Sequence, residues 1–266
     1  MPPSPDELLA VAIDAARAGG VVLERGLHGA VDVEVKNERT SIVTWVDKAA
    51  QDEVVRVITD RFPDHAILAE EGFAGRHEGE ITWIVDPLDG TSNYAHGIPL
   101  SCTSVAVRDA GGLAAGAIYE PFRAELFTAV RGGGAWLGGQ RLGVSTTATL
   151  GRAMVCTGVQ SDDPIAIAAF AARLERLHST CRAVRCLGSP ALCLAYIAAG
   201  RVDAFLERDA TYAWDVAAGA LMILEAGGRI EDLDGGPLNL GPGLADVLAT
   251  NGTIHDALAA VVRAEQ

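Results

Sequence analysis

Two short apolar runs, residues 66–69 and 81–85, end directly on acids: Glu70-Glu71 after the first and Asp86 after the second. The second run continues as Asp86-Pro87-Leu88-Asp89-Gly90-Thr91. Asp47 and Asp215 likewise stand where extended segments meet predicted helices. Strand ends gather at one edge of a sheet, where α/β proteins bind ligands. Carboxylates brought together at such an edge repel one another, and burial adds a desolvation cost. The pattern is tolerable if a cation sits among them. Taken one at a time, the acids read as solvated turns, a helix cap beside an aromatic and an exposed loop. Taken together, they favour a metal site.

In residues 86–91, Asp86 is expected to close a strand, Pro87 to stiffen a turn, and Asp89 to return a second carboxylate to the same side. Gly90 permits a tight bend, and the amides of Gly90 and Thr91 would then open a helix and cradle a phosphate. Oxygen ligands without His or Cys suit Mg²⁺ or Mn²⁺ rather than zinc or copper. The charge balance agrees. With 21 Lys and Arg against 35 Asp and Glu the chain carries −14, so an anionic substrate needs something other than net charge to attract it. The absence of a basic run argues against nucleic acid or an anionic membrane as partner.

The 266 residues, 49% of them hydrophobic, are enough for one large domain or two smaller ones. Ser4-Pro5-Asp6-Glu7 has the pattern of a helix start, and Gly19-Gly20 is expected to end or bend that helix. A second helix is expected after Asp47, closing at Pro63. Residues 103–107 and 116–119 flank Asp109-Ala110-Gly111-Gly112 as a hairpin, with 125–130 as a third antiparallel strand. The glycine-rich segment 132–139 lacks a following Gly-Lys-Ser/Thr and reads as a turn between strands rather than a phosphate loop. A boundary at 145–152 divides an α+β half, residues 1–146, from an α/β half, residues 147–266. In the second half, helices are expected near 164–178, 190–200 and 214–226 and in the last residues to 263. Strands are expected at 182–187, 202–206, 229–232 and 247–249.

No stretch approaches the length of a membrane span, and the N-terminus lacks a signal-peptide pattern. Five cysteines without a Cys-x-x-Cys pair read as buried reduced thiols, so a cytoplasmic protein is expected.

Trp83-Ile84-Val85-Asp86-Pro87-Leu88-Asp89-Gly90-Thr91-Ser92-Asn93-Tyr94-Ala95-His96-Gly97-Ile98-Pro99 resembles the first signature of the inositol monophosphatase family. Trp214-Asp215-Val216-Ala217-Ala218-Gly219, running on to Glu225-Ala226-Gly227-Gly228, resembles the second. Val43-Thr44-Trp45-Val46-Asp47, Glu70-Glu71-Gly72, Arg185-Cys186-Leu187-Gly188-Ser189 and Ala199-Gly200-Arg201-Val202-Asp203 extend the resemblance, in order, over nearly the whole chain.

The resemblance implies a layered αβαβα sandwich, a homodimer, and lithium-sensitive hydrolysis of phosphate monoesters with two or three Mg²⁺ ions. Position by position, Glu70, Asp86 and the Leu88 carbonyl resemble the ligands of one metal, and Asp86, Asp89 and Asp215 those of a second. Asp47 and Thr91 resemble the pair that orients and deprotonates the attacking water, with Glu70 beside them. The Gly90 and Thr91 amides resemble the phosphate cradle. Asp89, Arg185, Gly188, Ser189, Glu207 and Asp215 fall where the family contacts the alcohol.

The link from Glu207 to Asp215 is one residue longer than in the animal enzymes, so Glu207 either faces the site or swings out to solvent. Trp45 stands where the family often has a small residue.

The leading expectation is hydrolysis of inositol 1-phosphate or a similar small polyol or sugar phosphate. Fructose 1,6-bisphosphate, histidinol phosphate and a 3′-phosphoadenosine nucleotide are the alternatives within the same chemistry. A regulatory, protein-binding use of the fold would tolerate loss of metal ligands, and none is lost here.

Overall fold

The computed structural model describes residues 3–27, 33–35, 42–72, 76, 79–241 and 243–264. Ser4 caps helix α1 (Pro5–Gly26) with the expected reciprocal box: its hydroxyl takes the Glu7 amide, and the Glu7 carboxylate takes the Ser4 amide. The helix runs straight through Gly19-Gly20 rather than ending there. A Cβ at Gly19 would lie 2.7 Å from Thr103, and one at Gly20 would run into the Tyr119 ring. The pair serves close packing of helix on sheet, not termination.

A short ribbon of β1 (Val33–Val35) and β2 (Ile42–Thr44) follows, too brief for sequence periodicity to announce. Helix α2 (Trp45–Arg61) begins two residues before Asp47, not after it, because Thr44 is its cap and Asp47 its third residue.

The next eight elements are β3 (Ala66–Ala69), β4 (Thr82–Asp89), α3 (Thr91–Ala95), β5 (Cys102–Asp109), β6 (Gly112–Glu120), β7 (Glu125–Val130), β8 (Gly134–Leu137) and β9 (Gln140–Arg141). Their strands form one seven-stranded sheet in chain order, in which β3 and β4 are parallel and each later pair is antiparallel. The glycine-rich segment 132–139 supplies the turns on either side of β8.

After a single 3-10 turn at Leu150–Arg152 come β10 (Met154–Thr157), α4 (Pro164–Thr180), β11 (Ala183–Arg185), α5 (Pro190–Ala198) and β12 (Ala204–Thr211). They are followed by α6 (Ala213–Glu225), β13 (Arg229–Glu231), β14 (Ala245–Thr250) and α7 (His255–Arg263). These strands form a five-stranded sheet in the order β11-β10-β12-β14-β13.

Three apolar clusters stack these elements into five layers. Ala12, Ala15 and Ala16 of α1 and Val54 and Ile58 of α2 pack on Val85, Val105 and Ala117 of the larger sheet. The opposite face of that sheet, through Ile84, Ile118 and Phe127, meets Leu194, Ile197, Leu221 and Ile223 of α5 and α6. Those helices also cover Cys156, Phe205 and Ala249 of the smaller sheet. Helices α4 and α7 close the far side, with Leu177, Leu258 and Val262 against Val155, Leu206 and Leu248. Helices lying between two sheets must be apolar all round, as α5 and α6 are. The order is α, β, α, β, α, as the resemblance implies.

Two local irregularities aim side chains. Strand β4 stays extended through Asp86-Pro87-Leu88-Asp89 instead of turning at Pro87, which corrects the expected turn. Its register against β5 slips, with Asp86 opposite Ser104 but Asp89 opposite Cys102, so β4 carries one extra residue. Residues three apart in a regular strand point to opposite faces, and the bulge returns both carboxylates to one side. Strand β12 is longer than expected and bulges too: Glu207 pairs with Val247 and Thr211 with Ala245. Asp209 within this bulge has φ 51°, a left-handed conformation that absorbs the surplus length.

Candidate active site

The ends of β3 and β4 and the starts of α3, α5 and α6 converge at one edge of the larger sheet. One carboxylate oxygen from each of Asp86, Asp89 and Asp215 lies within 4.8 Å of the others. Each acid is anchored through one oxygen to a backbone amide, which fixes where the other points. Asp86 takes the Leu88 amide at 3.0 Å, Asp89 the Ala191 amide at 2.9 Å, and Asp215 the Tyr212 amide at 2.6 Å. The same Asp89 oxygen also accepts the Ser189 hydroxyl and the Cys102 thiol. Glu70, just past β3, comes within hydrogen-bonding reach of Asp86.

Burial holds the Asp86 and Asp215 carboxyls well above the usual carboxylate range, and the charges of neighbouring acids push them further. Asp89 is raised to about 7, chiefly by burial, although its bonds from Ser189 and Ala191 oppose the shift. Acids crowded this closely hold protons or a cation. The donors are hard oxygens at a buried edge, and the set fits a divalent ion.

Asp47 stands beside this cluster, fully buried at the first turn of α2. Its Oδ2 accepts the Thr44 amide at 2.7 Å and the Thr44 hydroxyl at 2.6 Å. Its Oδ1 accepts the Thr91 hydroxyl at 3.0 Å. The Leu88 carbonyl lies at the same distance from that hydroxyl, so one proton is shared between two acceptors. Burial raises the Asp47 carboxyl, with the Thr44 and Thr91 bonds acting against it.

Gly90, in the left-handed region at φ 89°, makes the bend from β4 into α3. A Cβ there would lie 2.9 Å from the Leu100 carbonyl, so only glycine fits both the angle and the space.

Asp89 apart, the residues expected to meet the alcohol come from the second half. Glu207 is buried on the inner side of β12 with one carboxylate oxygen against Gly158, and burial raises its carboxyl to about 8. Glu207 thus does not swing out to solvent. Arg185 is exposed at the end of β11, its guanidinium donating to the Val184 carbonyl at 2.9 Å. Gly188 is exposed in the following loop. Ser189 is buried as the cap of α5, its hydroxyl shared between the Leu192 amide and Asp89.

Three contributors carried no expectation of their own. Thr44 begins the pattern Thr-x-x-Asp, a capping-box signal that could have revealed its hold on Asp47. Cys102 and the Ala191 amide reach Asp89 only through tertiary contact, which no spacing encodes. Among the cysteines, all free, Cys186 is exposed rather than buried as expected. Trp45 is 49% exposed at the start of α2, so its bulk does not crowd the acids.

The model of the inositol monophosphatase family matches residues 4–266. The chain is 38% identical over 258 residues to inositol monophosphatase 2 of Solanum lycopersicum, covering 95% of this chain and 96% of that one. It is 39% identical over 231 residues to the Nus factor SuhB of Pasteurella multocida, covering 86% of each. Among solved structures, an IMPase of Thermotoga maritima superposes with a TM-score of 0.87 at 35% identity, over 97% of both chains. The extragenic suppressor protein suhB of Bartonella henselae gives 0.90 at 33%, over 97% of this chain and 99% of that one. By sequence and by fold alike, this protein belongs to the inositol monophosphatase family and is a phosphomonoester hydrolase.

Proposed function

We propose that the protein hydrolyses inositol 1-phosphate, or a closely similar polyol phosphate, with Mg²⁺. The observation that carries this reading is the meeting of Asp86, Asp89 and Asp215 beside the Asp47–Thr91 pair. Family membership implies a divalent cation; we assign it as Mg²⁺, in two or three ions. Glu70, Asp86 and the Leu88 carbonyl would hold one, and Asp86, Asp89 and Asp215 another. When bound, such ions acidify water and stabilise a departing alkoxide, the chemistry that so slow a hydrolysis needs.

The remaining work falls to the chain itself. The Gly90 and Thr91 amides receive the phosphate. Thr91, tied to Asp47, orients the attacking water and passes its proton toward the Asp47 carboxylate, with Glu70 alongside. The alcohol meets Arg185, Gly188 and Glu207, and lies within reach of Asp89 and Asp215. Ser189 contributes by fixing Asp89 rather than by a free hydroxyl. Residues 1–146 thus supply the phosphate half of the site, and residues 147–266 supply Asp215 and the alcohol half.

We further infer a cytoplasmic homodimer sensitive to lithium. Free cysteines suit a reducing compartment, and among the described residues no helix is long and apolar enough to cross a membrane. Light scattering should return twice the 27.7 kDa chain mass; the chain mass itself would contradict the dimer.

A second reading, a protein-binding role, is favoured by one observation: relatives named Nus factor SuhB match as well as those named monophosphatases. The full acidic set argues that hydrolysis is kept even so. Phosphate release from inositol 1-phosphate, fructose 1,6-bisphosphate, histidinol phosphate and a 3′-phosphoadenosine nucleotide ranks the substrates. Highest kcat/KM on inositol 1-phosphate supports the proposal; preference for another replaces the substrate.

A further inference from the structure

One side chain joins the two halves of the site without belonging to either. Asn93 lies in α3, two residues after Thr91, and its Nδ2 donates to the Leu100 carbonyl at 2.9 Å and to the Leu187 carbonyl at 2.7 Å. Leu100 precedes β5 in the first half of the chain. Leu187 belongs to the loop between β11 and α5 in the second. Two carbonyl oxygens face one group, so that group must be the amide nitrogen, and both of its hydrogens are used. The loop is then gripped at two points: Asn93 holds Leu187, and Asp89 holds Ser189 and Ala191. The Asp89 grip involves a carboxylate that also faces the acidic cluster. The Asn93 grip does not.

Between the grips, the Gly188 carbonyl lies 3.2 Å from where a Cβ of Gly90 would be, so the phosphate turn and the loop nearly touch. Any slip of the loop therefore moves the alcohol contacts relative to the phosphate contacts. Misplacement of about 1 Å in a reacting geometry can cost on the order of a hundredfold in rate.

We propose that Asn93 is a positioning residue that sets the register between the phosphate turn at Gly90-Thr91 and the alcohol-recognising loop at Arg185-Gly188, and thereby sets selectivity for a polyol phosphate. The inference rests on the division of the site proposed above.

The test compares inositol 1-phosphate with p-nitrophenyl phosphate, whose leaving group has no hydroxyls for the loop to recognise. Asn93→Ala removes both hydrogen bonds and should lower kcat/KM for inositol 1-phosphate about tenfold, with a change of about twofold or less on the aryl ester. Asn93→Asp sets a carboxylate against two carbonyls. Its loss on inositol 1-phosphate should be larger at pH 8 and shrink toward pH 6, as the new carboxyl takes up a proton and can donate again. Asn93→Ala should show no such recovery. A purely structural role would depress both substrates together, at pH 6 and at pH 8 alike.

Equal losses on the two substrates, or none in either variant, would overturn the proposal. If Asn93→Asp does not fold, the substrate ratio of Asn93→Ala decides alone. Glu207→Ala and Arg185→Gln are run in parallel. If they leave the polyol-to-aryl ratio unchanged, the division of the site is wrong and Asn93 falls with it. If they change the ratio and Asn93→Ala does not, only the positioning role is lost.

Discussion

The Thr91 hydroxyl donates to Asp47 Oδ1 at 3.0 Å across 44 residues of sequence, joining the turn after β4 to the first turn of α2. The other oxygen of Asp47 is fully engaged by Thr44, so the carboxylate cannot rotate away from Thr91. Thr91→Ala should lower kcat by about a hundredfold, the lower range for a group that handles a proton in the transition state. Thr91→Ser should keep most of the rate. Steady-state kinetics on both variants, with melting curves to show that they fold, checks this. An unchanged kcat in Thr91→Ala would remove the pair from the mechanism.

The crowded acids make the metal-free protein sensitive to pH. Asp86, Asp89 and Asp215 all hold protons more tightly folded than unfolded, because burial and mutual repulsion disfavour their charged forms. The folded state therefore binds more protons, and stability falls as pH rises from the ordinary carboxylate range through about 7, the value for Asp89. Chelator-stripped protein should melt lower at pH 8 than at pH 5. At this size, about 1 kcal/mol corresponds to roughly 2–4 °C. Mg²⁺ should raise the melting temperature more at pH 8 than at pH 5. A metal-free melting temperature that rises over this interval would contradict the account.

Glu207 is turned inward, and the bulge at Asp209 takes up the length that could have released it. With its carboxyl raised to about 8, Glu207 is mostly neutral near pH 7, and a hydrogen bond to a neutral group contributes about 0.5–1.5 kcal/mol. Glu207→Ala should thus lower kcat/KM for inositol 1-phosphate by about 2- to 10-fold and leave an aryl phosphate nearly unaffected. Equal losses on the two substrates would make Glu207 a structural residue.

Gly90→Ala should cost about 1–3 kcal/mol of stability, since it forces a side chain into a left-handed backbone. It also sets a methyl group 2.9 Å from the Leu100 carbonyl. Denaturant unfolding measures the loss, and a variant as stable as the parent would show that the bend can be made another way.

The acids were legible because residue type and order reveal them directly: Glu70 follows β3, Asp89 ends β4 and Asp215 lies in the first turn of α6, while Asp86 sits inside β4. What aims them was less legible. Pro87 reads as a turn residue, yet β4 carries it in a bulge, and the register slip against β5 depends on a partner strand that local sequence does not specify. Gly19-Gly20 reads as a stop, yet the pair marks where α1 lies against Thr103 and Tyr119. Asp47 reads as preceding a helix, while the Thr44 cap draws it inside. In the first two cases tertiary packing overrides a sound local signal; in the third, another local signal, the Thr44 capping box, decides.

The most direct test of metal-dependent hydrolysis at this acidic edge is phosphate release from inositol 1-phosphate as Mg²⁺ is titrated into chelator-stripped protein, alongside Asp89→Asn. The expected result is no turnover without the ion, saturable recovery in the parent, and a severe loss of kcat in the folded variant even at saturating Mg²⁺. Undiminished turnover in excess chelator, or near-normal kcat in Asp89→Asn, would contradict it.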